Sequence, residues 1–189
     1  MRKTFGGLSR LFRPLHRRGR KFARDDRGVT MIEFGLLAIP FFAIIGATLE
    51  TALVFMASQI LDSAVYDASR TVRTGQAQSA SMTETQFRTA ICNGLYGMFD
   101  CSQLRIRVSV ITDFASATVA NPVDTTNCTP TCQWQLVQAY NPGVGSDIVM
   151  VQAYYKWPVI LNFAGFNLMD QPDGTRLLGA VRVFRNEPF

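Results

Sequence analysis

One histidine, four cysteines and a few carboxylates set among apolar residues are the side chains from which this chain could build chemistry. The histidine, His16, lies in a basic N-terminal tract, so the C-terminal body has no imidazole for a Ser-His-Asp or Cys-His arrangement. No phosphate-cradling glycine loop or dinucleotide fingerprint occurs. Asp170 and Asp173 share the turn sequence DQPDGT, where a turn role is favoured over weak cation binding. An enzyme is not expected, and neither is a cofactor or a small-molecule substrate.

The carboxylate with the most to explain is Glu33, five residues beyond Gly28 and at the start of an apolar run. An ionisable group at the edge of hydrocarbon is costly unless paired. Cutting the chain after Gly28 would create an α-amino group at Val29, one helical turn from Glu33 at i to i+4, where the two charges can compensate each other. The plainer reading is that Glu33 sits at an interface and points to water. Glu50 is a second acidic residue at the far end of the run. It reads either as an interfacial group reaching water or as a contact between subunits.

The surrounding elements fit a membrane anchor. Residues 1–28 carry ten Lys/Arg against two Asp/Glu, and the rest carries nine against twelve, so the net charge of +5 describes the tail and not the body. From Phe34 to Leu49 there is no charge at all. With Val29–Ile32 before it and Leu53–Ala57 after it, the run reaches the roughly 17–25 residues that cross a bilayer as a helix. Basic residues remain cytoplasmic, which places residues 1–28 inside and the C-terminal body outside. The Arg17-Arg18-Gly19-Arg20-Lys21 cluster is dense enough for phosphate contacts, but the span that follows directly and the scarcity of interleaved aromatics argue against nucleic acid. Twin-arginine export is disfavoured, because no small-residue cleavage site closes the apolar run. Pro40 should bend the span, and Ala43, Gly46 and Ala47 form a patch on which another helix can pack closely.

The basic leader ending in Gly28, then four residues, Glu33-Phe34 and an apolar helix together resemble a prepilin peptidase site. The wider stretch RGVTMIEFGLLAIPFFAIIGATLE resembles the start of the TadE-like family of minor pseudopilins, with Pro40 and Gly46-Ala47-Thr48-Leu49-Glu50 in familiar places. The ending Val183-Phe184-Arg185-Asn186-Glu187-Pro188-Phe189 is also similar to that family's. Residues 74–141 match it only in general layout. The resemblance implies a protein of tight-adherence (Flp) pilus assembly in the bacterial inner membrane, with Gly28, Val29, Glu33 and Phe34 as its processing site. Glu33, Pro40, Gly46 and Glu50 would then serve helix packing in assembly. The implied partners are the prepilin peptidase, other minor pseudopilins and assembly-platform proteins. An uncleaved single-pass scaffold with a periplasmic partner-binding domain is the alternative. A type II secretion pseudopilin is a third reading, although its first mature residue is more often Phe than Val.

Beyond the span, Leu61, Val65, Ala68 and Val72 recur at helical spacing, so the helix should continue to about Gly75 with an apolar stripe on the body. Gln76–Ser81 reads as a linker. A second helix is expected over 83–99, capped by Thr83 with Gln86 in the capping-box position and burying Phe87, Ala90, Ile91, Leu95 and Met98. Period-two alternation marks a strand at 104–111. Further strands are expected at 133–140, bounded by Asn141-Pro142-Gly143, at 147–157, ended by Pro158, and at 175–184. The sum is an α+β, pilin-like fold: a long N-terminal helix and a second helix packed on a small antiparallel sheet. The division expected is a leader (1–28), a transmembrane helix (29–58), its periplasmic extension (59–75) and a periplasmic α+β domain (82–189). In that compartment Cys92, Cys101, Cys128 and Cys132 favour disulfides over a zinc site. Of the three possible connectivities, Cys92–Cys101 with Cys128–Cys132 is the simplest, and a staple from loop to helix stays open.

Overall fold

The computed structural model describes residues 28–163 and 166–189; the basic leader of residues 1–27, with the orientation expected of it, lies outside them. The first element is a single 45-residue helix, α1 (Val29–Arg73), which continues through Pro40. The chain divides into two compact units, one ending at Gly46 and a body from Ala47 to Phe189. In the first unit the apolar side chains of α1 face outward, with Phe34 70% and Leu37 71% exposed. From Val54 onward one stripe is buried: Ala57, Leu61, Ala64, Val65, Ala68 and Val72 each have at most a few per cent of their surface exposed. The expected stripe is therefore the face that enters the core.

Helix α1 ends at Arg73, where Gly75 takes a left-handed φ of 78° and starts a one-turn helix, α2 (Gln76–Ser79), in the stretch expected as a linker. Helix α3 (Glu84–Asn93) opens on the expected capping box: the Gln86 amide donates to Thr83 Oγ1 at 3.3 Å, and the Thr83 amide donates to Gln86 Oε1 at 2.8 Å. It stops six residues short of the predicted end. Gly94 presses against Ala64 of α1, and Tyr96 and Gly97 adopt positive φ, which turns the chain back. Phe87, Ile91 and Leu95 are fully buried nonetheless.

The main sheet has the order β4-β1-β5-β8, built from β1 (Arg105–Ile111), β4 (Ala139–Tyr140), β5 (Ile148–Pro158) and β8 (Thr175–Arg185). Strands β1 and β8 flank β5 antiparallel, with Val108 opposite Val151 and Ala180 opposite Ala153. The sheet is antiparallel, as expected, except at one edge, where β4 runs parallel to β1. The chain from β1 to β4 makes a long excursion over residues 112–138, enough to return and lie in the same direction. The single strand expected over 133–140 is likewise two pieces. Its first part is β3 (Cys132–Trp134), paired with β2 (Val123–Cys128), and the amides of Gln135 and Leu136 then turn away to the Pro122 carbonyl. A two-residue hairpin, β6 (Asn162–Phe163) and β7 (Phe166–Asn167), lies between β5 and β8.

Ile106 and Val108, with Val149, Val151 and Ala153 of β5 and Leu178 and Ala180 of β8, meet the α1 stripe and α3 in one core. Central strand β5 is buried on both faces from Ile148 to Tyr155. The β2–β3 excursion approaches its other face: Arg107, Met150 and Gln152 of the sheet and Pro122, Gln135 and Leu136 of the loop line a cavity of about 360 Å³. Both local disulfides are formed, Cys92–Cys101 and Cys128–Cys132. The second joins residues directly opposite each other across the β2–β3 hairpin.

Candidate functional site

The residues singled out for processing and helix packing lie on α1 or, for Gly28, directly before it, and the helix sets their relations. Gly28 is an exposed turn whose carbonyl accepts the Ile32 amide at 3.2 Å, so helical bonding starts at the junction itself. Val29 is 47% exposed and is the first residue of α1. Glu33 is exposed in the next turn, on the same side of the helix as Val29 by the i to i+4 rule, and Phe34 beside it is also exposed. Pro40 is exposed within the helix, and Gly46 is half-buried.

Glu50 departs from the reading of an interfacial group reaching water, being only 7% exposed. Its Oε1 accepts the amide of Ile160 at 2.5 Å, and both carboxylate oxygens take the amide of Leu161 at 3.1 Å. A buried carboxylate is tolerable when amide donors replace its water, and charged hydrogen bonds of this kind are the strong ones. Glu50 therefore clamps the segment after β5 to the helix. Nothing in the spacing of residues 46–50 pointed to this, although the uncharged run from Pro158 to Met169 was a signal that the partner segment avoids open water.

A second polar cluster holds the end of the sheet. Lys156 Nζ lies 3.0 Å from Asp173 Oδ2, with side chains 15% and 3% exposed, and it also donates to the Cys132 carbonyl. Asp173 accepts the Cys132 amide at 3.0 Å and Thr175 Oγ1 at 2.6 Å. Burial pushes the Asp173 carboxyl upward, but the bonds from Thr175, Lys156 and Cys132 and the Lys156 charge outweigh it and hold the group at about 2. The Asp170–Thr175 stretch is thus a turn, as expected, and Asp173 in addition docks the disulfide hairpin through Lys156. Trp134 lies over the same ammonium at 5.2 Å.

The C-terminal residues fasten the far end of α1. Asn186 is 2% exposed and donates through Nδ2 to the carbonyls of Pro142 and Val144, at 2.9 and 3.0 Å. The Glu187 amide donates to the Arg73 carbonyl at 2.8 Å, and the Phe189 ring packs over Gly75 so closely that a Cβ there would fall 2.6 Å from it. Among the described residues no group of His, Cys, Asp and Glu has the geometry of a metal site.

Among the described residues one helix, Val29–Arg73, is long and apolar enough to cross a membrane. Residues 28–70 match the family model of TadE-like proteins. Over this segment the chain is similar to TadE-like proteins. The matched segment opens on Gly28 and closes three residues before the end of α1, so the similarity covers the apolar helix and not the sheet. No curated protein and no solved structure matches the chain.

Proposed function

We propose that this chain is a minor pseudopilin of a tight-adherence pilus system, cleaved after Gly28 by a prepilin peptidase and acting in pilus assembly or its initiation. The observation that carries the reading is where the TadE-like match begins: at the junction, leaving out the basic leader that cleavage would remove. Helix α1 starts one residue later and sets Glu33 one turn from the amine that cleavage would expose. In the assembled state, that ammonium and the Glu33 carboxylate of a neighbour fix the axial stagger between helices, because a lone carboxylate at that depth is unfavourable. The leader stays cytoplasmic, the helix crosses the inner membrane, and the body with its two disulfides lies on the oxidising side. Partners are other pseudopilins and the assembly platform, met through the exposed apolar surface of the anchor. The role is assembly and not catalysis.

Mass spectrometry of the membrane form tests this. Val29 is the expected N-terminus in a strain with its peptidase, and Met1 in a peptidase deletion. Retention of residues 1–28 in both strains would replace this reading with that of an uncleaved scaffold. Glu33→Ala should be cleaved normally yet leave pili scarce, and normal piliation would refute the stagger mechanism.

A further inference from the structure

The segment between β5 and β6, Pro158-Val159-Ile160-Leu161, has an unusual surface for a loop. Ile160 is 85% exposed and Pro158 is also exposed, while their neighbourhood in the sequence carries no charge from Pro158 to Met169. Loops are normally polar because water satisfies their backbone. Here a buried carboxylate, Glu50, takes two of the segment's amides instead.

The position of that clamp is informative. At ~1.5 Å per residue the helical run from Val29 to Leu49 is about 30 Å long, the thickness of a bilayer's hydrocarbon. Glu50 is the first charged residue after it. The apolar exterior of α1 does not stop there: Leu53, Phe55 and Met56 are 46%, 65% and 43% exposed. Charged groups at this end of the sheet are engaged elsewhere. Lys156 pairs with Asp173, Arg176 donates to the Leu168 carbonyl, and Asp170 accepts the Leu177 amide.

We infer that the Pro158–Leu161 segment, fastened to α1 by Glu50, is a second membrane contact that rests in the headgroup–acyl boundary of the bilayer. Side chains of this type partition there, and the inward-turned backbone amides need no water. The body is then held to the lipid surface at two places, the helix and this foot. The inference rests on α1 spanning the bilayer, but not on cleavage or on pilus entry.

The test uses the full-length protein in phosphatidylcholine–phosphatidylglycerol vesicles, with an environment-sensitive fluorophore on single introduced cysteines. Ile160→Cys is the probe, Phe42→Cys the mid-span control, and Val137→Cys, at a position 72% exposed, the body control. Intact mass must show both native disulfides retained. The Ile160 site should emit blue-shifted relative to Val137 and be quenched about twofold or more by lipids labelled near the headgroup, the depth at which interfacial segments lie. Adding Glu50→Ala should return the Ile160 signal toward that of Val137. Emission and iodide accessibility equal to Val137 would overturn the foot while Phe42 still reports the span. Protection from iodide without lipid quenching would also overturn it, in favour of a protein partner. Loss of lipid quenching at Phe42 would instead remove the spanning anchor on which the foot rests.

Discussion

Replacing Asp173 by Asn should destabilise the body at neutral pH and leave it nearly unchanged in strong acid. In the folded chain the carboxyl is held at about 2 against an ordinary 3.8. Each unit is worth about 1.4 kcal/mol, so the charged form contributes about 2 kcal/mol to folding at pH 7. A depressed carboxyl stabilises above its unfolded value and loses that contribution as pH falls through its folded value. The loss therefore runs from about pH 4 down to about pH 2. The variant also leaves the Lys156 ammonium, 15% exposed, without its counter-charge, and breaking a buried pair from one side raises the cost toward about 3–5 kcal/mol. Denaturant titration in detergent at several pH values, followed by tryptophan fluorescence, measures it directly, because Trp134 lies over the Lys156 ammonium. The wild-type-minus-variant difference should be about 2 kcal/mol or more at pH 7 and shrink steadily below pH 4. A difference that stays constant down to pH 2, or is absent at pH 7, would refute the assignment of stability to this pair.

Other perturbations read different parts of the fold. Glu50→Ala leaves the part-buried amides of Ile160 and Leu161 without their acceptor and should cost about 1–3 kcal/mol, with faster hydrogen exchange confined to residues 158–162; unchanged exchange there would rule out the clamp. Gly75→Ala meets both a φ of 78° and the Phe189 ring, so melting should fall by several degrees, and truncating Phe189 as well should recover only the steric part. Removing the Cys92–Cys101 bridge, which closes a nine-residue separation, should cost about 2–3 kcal/mol by chain entropy, measured by denaturation of the Cys92→Ser, Cys101→Ser protein.

Periodic features were readable in advance, and features made by distant residues were not. The stripe Leu61, Val65, Ala68 and Val72 and the Thr83–Gln86 box are local patterns, and the chain folds them as they read. Alternation located β1, and apolar runs bounded by turns or proline located β5 and β8, each to within one or two residues of its ends. The second helix was drawn too long because Leu95 and Met98 continue its apolar rhythm through Gly94 and Gly97, where close approach to Ala64 and positive φ dominate. Glu50 illustrates the harder case. Its partners lie 110 and 111 residues away, and their amides carry no side-chain signature. Asp173 was rightly placed in a turn, yet its link to Lys156 and Cys132 depends on how β5, β8 and the disulfide hairpin converge. The Asn186 ending was legible only as a likeness; its physical role, satisfying the Pro142 and Val144 carbonyls, required the fold.

The order in which the core receives its parts has a consequence for biogenesis. Strand β8 lines the core beside β5, and Asn186, Glu187 and Phe189 seal the end of α1, so the body is completed only after its other strands have been made. The two disulfides span only short separations and can close while the rest of the chain is still emerging. A chain interrupted before β8 leaves a cross-linked body with one edge of its sheet missing. Quality-control proteases would meet that intermediate as a chain with an open core, which makes β8 the checkpoint between a nascent body and a usable one.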